Sequence, residues 1–341
     1  MQLKPGMQVL VINVARIGDT LLCTPAIRAL RRAVPAGQVT VLAHPDRQCL
    51  LQNLPFIDEL RGMTPRQAWW RQWGLKARYD VAVVYGNDPA LLKLARQRAA
   101  YTVGFSQQNA MGNRWLDYAV PRPETPMHAV RERLLLPAAL GIESREEQLA
   151  YAPRESEIHA VQRWLAPQCE GAPLVGLQMA SFPTKGYRDW PLERFVELVS
   201  GLLTRWPDLR FVALGDRLSR ERAAQLAREF PGKIISAAGR FSLRKSAALL
   251  SQLDLYVGVD TGPTHLAGAL GIPMVGLYHC YHRGEWLAPL QHPMLEVVEH
   301  PALIARRDSP MAELGAARVL TAIECLARRL PVDHPMHTDQ E

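Results

Sequence analysis

The chain lacks any apolar run long enough to cross a membrane. Its first, Val9–Val14, is six residues long and is closed by Arg16, far short of a secretory core or the ~20 residues of a bilayer span, so a cytoplasmic protein is expected. Cysteine is scarce as well. Cys23, Cys49, Cys169, Cys280 and Cys325 show no paired spacing and are odd in number, which speaks against a disulfide framework and for free thiols in a reducing compartment. Low-complexity tracts and short-period repeats are missing. So is the dinucleotide fingerprint G-x-G-x-x-G: Gly18 stands alone after the first apolar run, which argues against an oxidoreductase. The segment His279-Cys280-Tyr281-His282-Arg283-Gly284-Glu285-Trp286 packs ligand-type residues without the loop that separates ligand pairs in structural zinc sites, so no metal is expected and the segment reads as a substrate-contacting loop.

What is present points to a two-domain enzyme. At 341 residues the chain exceeds the ~250–300 at which one hydrophobic core stops growing. Its net charge of +7 is unevenly placed: residues 1–150 hold 19 Lys and Arg against 12 Asp and Glu, whereas 151–341 balance at 21 each. An N-terminal domain that meets an anionic surface would carry such an excess. Arg28, Arg31 and Arg32 equally suit the solvated side of an exposed helix.

Residues 7–14 form a β-branched apolar run, as a buried parallel strand does, and 20–33 follow as a helix. Further strands are predicted at 38–43, 80–85 and 100–105, with helices at 65–77, 89–99 and 129–140, the last joining the domains. Pro121, Pro123 and Pro126 break the chain, and Tyr151-Ala152-Pro153 breaks it again, placing the boundary at 152/153. The second half repeats the programme, with strands at 173–180, 210–215, 234–238, 255–260 and 273–278 and helices at 191–205, 219–230, 242–253 and 263–270. An amphipathic helix over 310–330 closes it. Strands alternating with helices predict α/β domains with open, doubly wound parallel sheets.

In such sheets ligands gather where strands end and helices begin. Arg16-Ile17-Gly18-Asp19 follows the first strand, with Gly18 permitting a sharp turn and Asp19 readable either as a helix cap or as a general base. Strand 255–260 opens into Asp260-Thr261-Gly262-Pro263-Thr264-His265. Free N–H groups of Thr261, Gly262 and Thr264, two hydroxyls and a helix dipole there would cradle a pyrophosphate. The loop after 173–180 carries Lys185 and Arg188, either an anion clamp or exposed charge. Asp216 and Glu221, after strand 210–215, are candidates for a ribose contact or an ordinary helix start.

Three segments together, Arg16-Ile17-Gly18-Asp19, Arg188-Asp189-Trp190-Pro191 and Asp260-Thr261-Gly262-Pro263-Thr264-His265 with the following Ala-Leu-Gly-Ile-Pro, resemble glycosyltransferase family 9, the ADP-heptose:lipopolysaccharide heptosyltransferases. The resemblance implies a GT-B fold of two Rossmann-like domains facing a central cleft, residues 1–152 holding the acceptor and 153–341 the nucleotide sugar. It implies inverting, metal-independent transfer from ADP-L-glycero-D-manno-heptose, with no cofactor, to a hydroxyl of the lipopolysaccharide inner core at the cytoplasmic face of the inner membrane, and no nucleic-acid partner. By the same resemblance Asp19 is the catalytic base; with it Arg16 and Gly18 are taken as acceptor-binding and Lys185 or Arg188, Asp260, Thr261, Gly262, Thr264 and His265 as donor-binding, to which the mononucleotide-fold analogy adds Asp216 and Glu221. The chain departs from the family twice. Arg188 stands where Lys is common, with Lys185 three residues earlier, and His279-Cys280-Tyr281-His282-Arg283 replaces a Gly-x-Thr-x-Pro loop. Another nucleotide sugar or a protein glycan acceptor, a nucleotide-sugar epimerase, and a non-catalytic module for anionic glycans are the alternative readings.

Overall fold

Two sheets, each parallel throughout and each six-stranded, carry the chain in the computed structural model, which describes residues 1–70, 78–108 and 110–338. They belong to two compact units, Met1–Ala152 and Pro153–Glu341.

The first unit runs β1 (Gln8–Asn13), α1 (Ile17–Leu22), α2 (Thr24–Ala33), β2 (Gln38–Ala43), β3 (Glu59–Gly62), α3 (Pro65–Trp70), β4 (Tyr79–Val84), α4 (Pro89–Arg98), β5 (Ala99–Phe105), α5 (Ala110–Asn113), β6 (Tyr118–Val120) and α6 (Ala129–Ala138). Its strand order is β3-β2-β1-β4-β5-β6. Successive side chains of β1 enter opposite cores, because a strand points alternate residues to opposite faces. Val9 and Val11 pack with Ile27 of α2 and Leu136 of α6, whereas Leu10 and Ile12 pack with Leu91, Leu92 and Ala95 of α4. Helices on both faces explain the uninterrupted apolar run.

The second unit runs α7 (Glu155–Cys169), β7 (Leu174–Gln178), α8 (Leu192–Arg205), β8 (Arg210–Leu214), α9 (Arg220–Glu229), β9 (Ile234–Ser236), α10 (Leu243–Leu250), β10 (Leu255–Val259), α11 (Gly262–Leu270), β11 (Met274–Tyr278), α12 (Gly284–Leu287), β12 (Leu295–Glu299) and α13 (Ala316–Ala327). Its order is β12-β11-β10-β7-β8-β9. Counted from the first strand of each unit, both sheets read 3-2-1-4-5-6, the Rossmann order, in which ligands bind beyond the carboxyl ends of the strands where the order reverses. That point lies between β1 and β4 in one unit and between β7 and β10 in the other.

Several expectations need correction. The helix expected over 20–33 begins at Ile17 and breaks at Cys23. Helix α6 does not join the domains: Leu136 and the following Leu140 lie in the core of the first unit. Of the helix expected over 65–77, Pro65–Trp70 is helical and 71–77 lie outside the described residues. The closing helix is shorter than 310–330, being preceded by a 3₁₀ turn at Met311–Glu313. The basic block of α2 is not a free face, since Arg28 and Arg32 pair with Glu146 and Arg31 with Asp58. Among the described residues no helix is long and apolar enough to cross a membrane.

One glycine shows how the second sheet makes room for its loop. A Cβ on Gly258, in β10, would strike the hydroxyl of Tyr256 and lie 2.7 Å from Cβ of Gln178 on the adjoining strand. Gly258→Ala is therefore expected to lower stability by about 1–3 kcal/mol, the usual penalty of overpacking. Urea unfolding followed by circular dichroism checks it, and an unchanged midpoint would show that Tyr256 moves aside freely.

Candidate functional site

In the second unit the strand-order reversal is bridged by an ion pair. Arg188, on the 3₁₀ segment Pro183–Arg188 that follows β7, donates from Nη1 to Oδ2 of Asp260 at 2.5 Å and to the Asp260 carbonyl at 3.3 Å. The two side chains are 14% and 3% exposed. The other Asp260 oxygen lies 3.6 Å from Nε2 of His265, which is also buried. Asp260 and His265 thus form the floor of the site, and Arg188 is the charge they hold up.

The loop that carries Arg188 is built by its own motif. Trp190 is fully buried in the core of the unit, its indole N–H donating to the Leu314 carbonyl at 2.7 Å. Asp189 accepts from the Ser181 N–H at 2.6 Å, closing the loop on itself. Arg222 of α9 donates to the Trp190 carbonyl at 2.5 Å and lies 3.6 Å from Asp189. Of Arg188-Asp189-Trp190, then, Arg188 is the group on offer and its two successors are scaffold. Lys185, on the same segment, has its ammonium 6.0 Å from the Tyr187 ring centre and no carboxylate partner among the described residues.

Helix α11 starts at Gly262, with Thr261 as its extended N-cap residue and Pro263 in the first turn. The N–H groups of Thr261 and Gly262 find no acceptor among the described residues, as expected of a helix start. Thr264 does not fit the cradle drawn from the sequence. Its N–H donates to the Thr261 carbonyl at 3.1 Å, and its hydroxyl donates to the Val259 carbonyl at 2.5 Å and therefore accepts from Tyr256 at 2.8 Å. Thr264 is wholly buried and braces the turn from beneath. Burial also drives the Tyr256 phenol well above its ordinary pKa, so it remains a donor.

Asp216 and Glu221 stand at the start of the helical segment after β8. Asp216 caps the 3₁₀ turn Arg217–Ser219, accepting from the N–H groups of Leu218 and Ser219. Glu221 sits on the exposed side of α9 beside Arg228. Sequence reasoning passed over Gln178 at the end of β7, which is 4% exposed, donates to the Ala180 carbonyl and has an Oε1 without a partner among the described residues.

The first unit presents a carboxylate at its own reversal. Asp19 lies inside the first turn of α1, not at its cap. The N-cap residue is Arg16, whose carbonyl takes the Thr20 N–H and hydroxyl. Gly18 has an ordinary helical backbone, so the sharp turn expected of it is not made. The Asp19 carboxylate is half exposed, and its Oδ1 accepts from Arg133 of α6 at 2.6 Å. Tyr85, past the end of β4, donates to the Arg133 carbonyl. Arg133 lies 114 positions from Asp19, with no local signal to join them. Cys23, buried beneath, is pushed up to about 12 by burial above all, so it is an inert thiol.

The loop after β11 folds tightly. His279 accepts at Nδ1 from the Tyr281 N–H at 3.0 Å, and its Nε2 lies 2.9 Å from the Ser309 carbonyl. No group of three or more His, Cys, Asp or Glu among the described residues is arranged to hold a metal ion.

Comparison with known proteins gives the family and the fold. Residues 70–302 match the model of glycosyltransferase family 9 (heptosyltransferase). The lipopolysaccharide core heptosyltransferase OpsX of Haemophilus influenzae is 21% identical over 291 residues, 82% of this chain and 80% of that protein. In fold, the family 9 glycosyl transferase of Veillonella parvula is similar with a TM-score of 0.83 at 20% identity, covering 95% of this chain and 98% of that one. E. coli heptosyltransferase WaaC, solved with ADP, has a TM-score of 0.72 at 20% identity over 94% and 100% of the two chains. With its two Rossmann-like units of GT-B type, the chain belongs to glycosyltransferase family 9 (heptosyltransferase) and is a glycosyltransferase.

Proposed function

We propose that this protein is an inverting, metal-independent heptosyltransferase that moves heptose from ADP-L-glycero-D-manno-heptose to a hydroxyl of the lipopolysaccharide inner core. The observation that carries the reading is the Arg188–Asp260 pair beside the start of α11, a fixed cation next to two unengaged N–H groups. That is what a departing diphosphate needs. OpsX, by its name a lipopolysaccharide core heptosyltransferase, and the solved complex of WaaC with ADP support the same donor and acceptor.

In this mechanism Asp19 removes the proton of the acceptor hydroxyl as its oxygen attacks the anomeric carbon. The carbon–oxygen bond to the diphosphate breaks on the opposite face, and ADP leaves with the electron pair. Attack opposite the leaving group inverts the configuration. Arg133 engages one oxygen of Asp19 and sets the direction of the other. Arg188, Lys185 and the N–H groups of Thr261 and Gly262 meet the charge that grows on the diphosphate, the work a divalent ion would otherwise do. The first unit holds the acceptor, whose phosphorylated inner core suits the +7 carried by residues 1–150. The protein acts in the cytoplasm, at the inner face of the inner membrane where that acceptor is displayed.

Asp19→Asn is expected to retain ADP affinity while kcat falls by about 10²–10⁴, the usual contribution of a general base. Turnover within tenfold of the parent would reduce Asp19 to a structural partner of Arg133. Asp260→Asn and His265→Ala are each expected to weaken ADP binding at least tenfold in calorimetry, as the loss of a charge-assisted contact does, and unchanged affinity would sink the diphosphate assignment. The overall reading is checked by mass spectrometry of products from a panel of nucleotide sugars with truncated lipopolysaccharide acceptors. Conversion of the donor without any acceptor would identify an epimerase instead.

A further inference from the structure

Three segments of the second unit bring cations to one aromatic ring. Around Tyr187 stand the guanidinium of Arg307 at 4.9 Å from the ring centre, that of Arg188 at 5.6 Å and the ammonium of Lys185 at 6.0 Å. The imidazoles of His279 and His282 lie 5.3 and 6.0 Å from the same ring, the second nearly parallel to it. Lys185 and Arg188 come from the turn after β7, the histidines from the loop after β11, and Arg307 from the stretch between β12 and α13. Asp260 compensates Arg188, but neither Lys185 nor Arg307 has a carboxylate partner among the described residues. Nε2 of His282 is buried and has no hydrogen-bond partner there either. Like charges gathered on one ring repel one another, and a ring face returns only about 0.5–2 kcal/mol per cation. The arrangement is complete only with an anion among these groups.

We propose that Arg307 and His282 are donor-site residues of this chain, joining Arg188 and Lys185 around Tyr187 to enclose the diphosphate, with Arg307 supplying a further charge and His282 Nε2 a hydrogen bond. The inference rests on the donor reading given above and assigns work to the very loop in which the chain departs from its family. Its geometry also couples binding to protons. His282 is faced by Arg188 and Lys185 from the turn, by His279 from its own loop and by Arg307 from the segment before α13. Burial first, and then these cations, lower its pKa to about 4, so it is neutral in the unliganded protein. A diphosphate placed among the same cations reverses the local field and raises the proton affinity of the imidazole. Binding should therefore take up a proton between about pH 5 and 6.5, above the unliganded value and below the range in which an ordinary imidazole is neutral.

Calorimetry of the full chain with inorganic pyrophosphate, ADP and AMP, in two buffers of different ionisation enthalpy, tests both halves. Arg307→Gln is expected to weaken pyrophosphate and ADP by about tenfold and AMP by less, with a shallower salt dependence. Arg307→Lys should recover part of the loss, and because Arg307 is exposed the melting temperature should not move. His282→Asn is expected to abolish proton uptake. Pyrophosphate and ADP binding to Arg307→Gln within about twofold of the parent, or unaltered proton uptake in His282→Asn, would overturn the proposal. If ADP binds the parent and both variants alike, this inference fails and the donor reading stands. If pyrophosphate shows the expected losses while ADP binds no better than pyrophosphate, the anion site stands and the nucleotide reading fails.

Discussion

The buried pair of Arg188 and Asp260 is the constraint from which the rest of the second unit follows. Withdrawing two charges from water costs several kcal/mol per ion, and such pairs often add little stability over an apolar replacement. Their use is placement. Arg188 must stand where the strand order reverses, and its neighbours hold it there. Trp190 roots the loop in the core, Asp189 closes it, and Arg222 ties it to α9. Beneath Asp260, Gly258 clears a path for Tyr256 to reach Thr264, so that the first turn of α11 is braced from the sheet side. A cation fixed in advance by a carboxylate needs no reorganisation when a phosphate arrives, which is the condition for strong electrostatic stabilisation of a leaving group.

The first unit uses the same charges to another end. Asp19 and Arg133 are also paired, but the carboxylate is half exposed where that of Asp260 is hidden. In one unit the carboxylate is the more buried partner; in the other it is the guanidinium. The difference comes from position: Asp260 directly follows a central strand, whereas Asp19 lies farther along, on a short helix.

The fold was legible where the physics is local. Strands β1, β2, β4, β5, β7, β8, β10 and β11 are apolar and β-branched because helices cover both faces, and their bounds fall within about two residues of those expected, inside the usual error of pattern reading. The edge strands β3, β6 and β12 were not legible, whereas β9 was. Residues Glu59–Gly62 of β3 and Leu295–Glu299 of β12 are only partly buried and mix charge with apolar residues, and Tyr118–Val120 of β6 is three residues long beside prolines. Helix α7 buries Val161 and Leu165 alone of its described residues, too little for a periodic signal. In the site, Asp260 could be found because it follows a strand directly, and Asp19 and Arg188 because the connections after β1 and β7 carry them. Thr264 was misread as offering a free N–H because a group near a helix start serves a cap, a brace or a ligand equally well, and only its hydrogen bonds tell which. Arg133, Arg307 and His282 owe their places to packing between segments far apart in the chain.

The loop after β11 is held by its own backbone and by the segment before α13. Both nitrogens of His279 are occupied within the unit, one by the loop's own Tyr281 N–H and the other by the Ser309 carbonyl, and His279 and His282 form an antiparallel bridge. A loop held mainly by backbone groups makes few demands on the side chains of the strand that bears it. Change of sequence in this short stretch is then expected to leave the strands beside it where their own packing puts them.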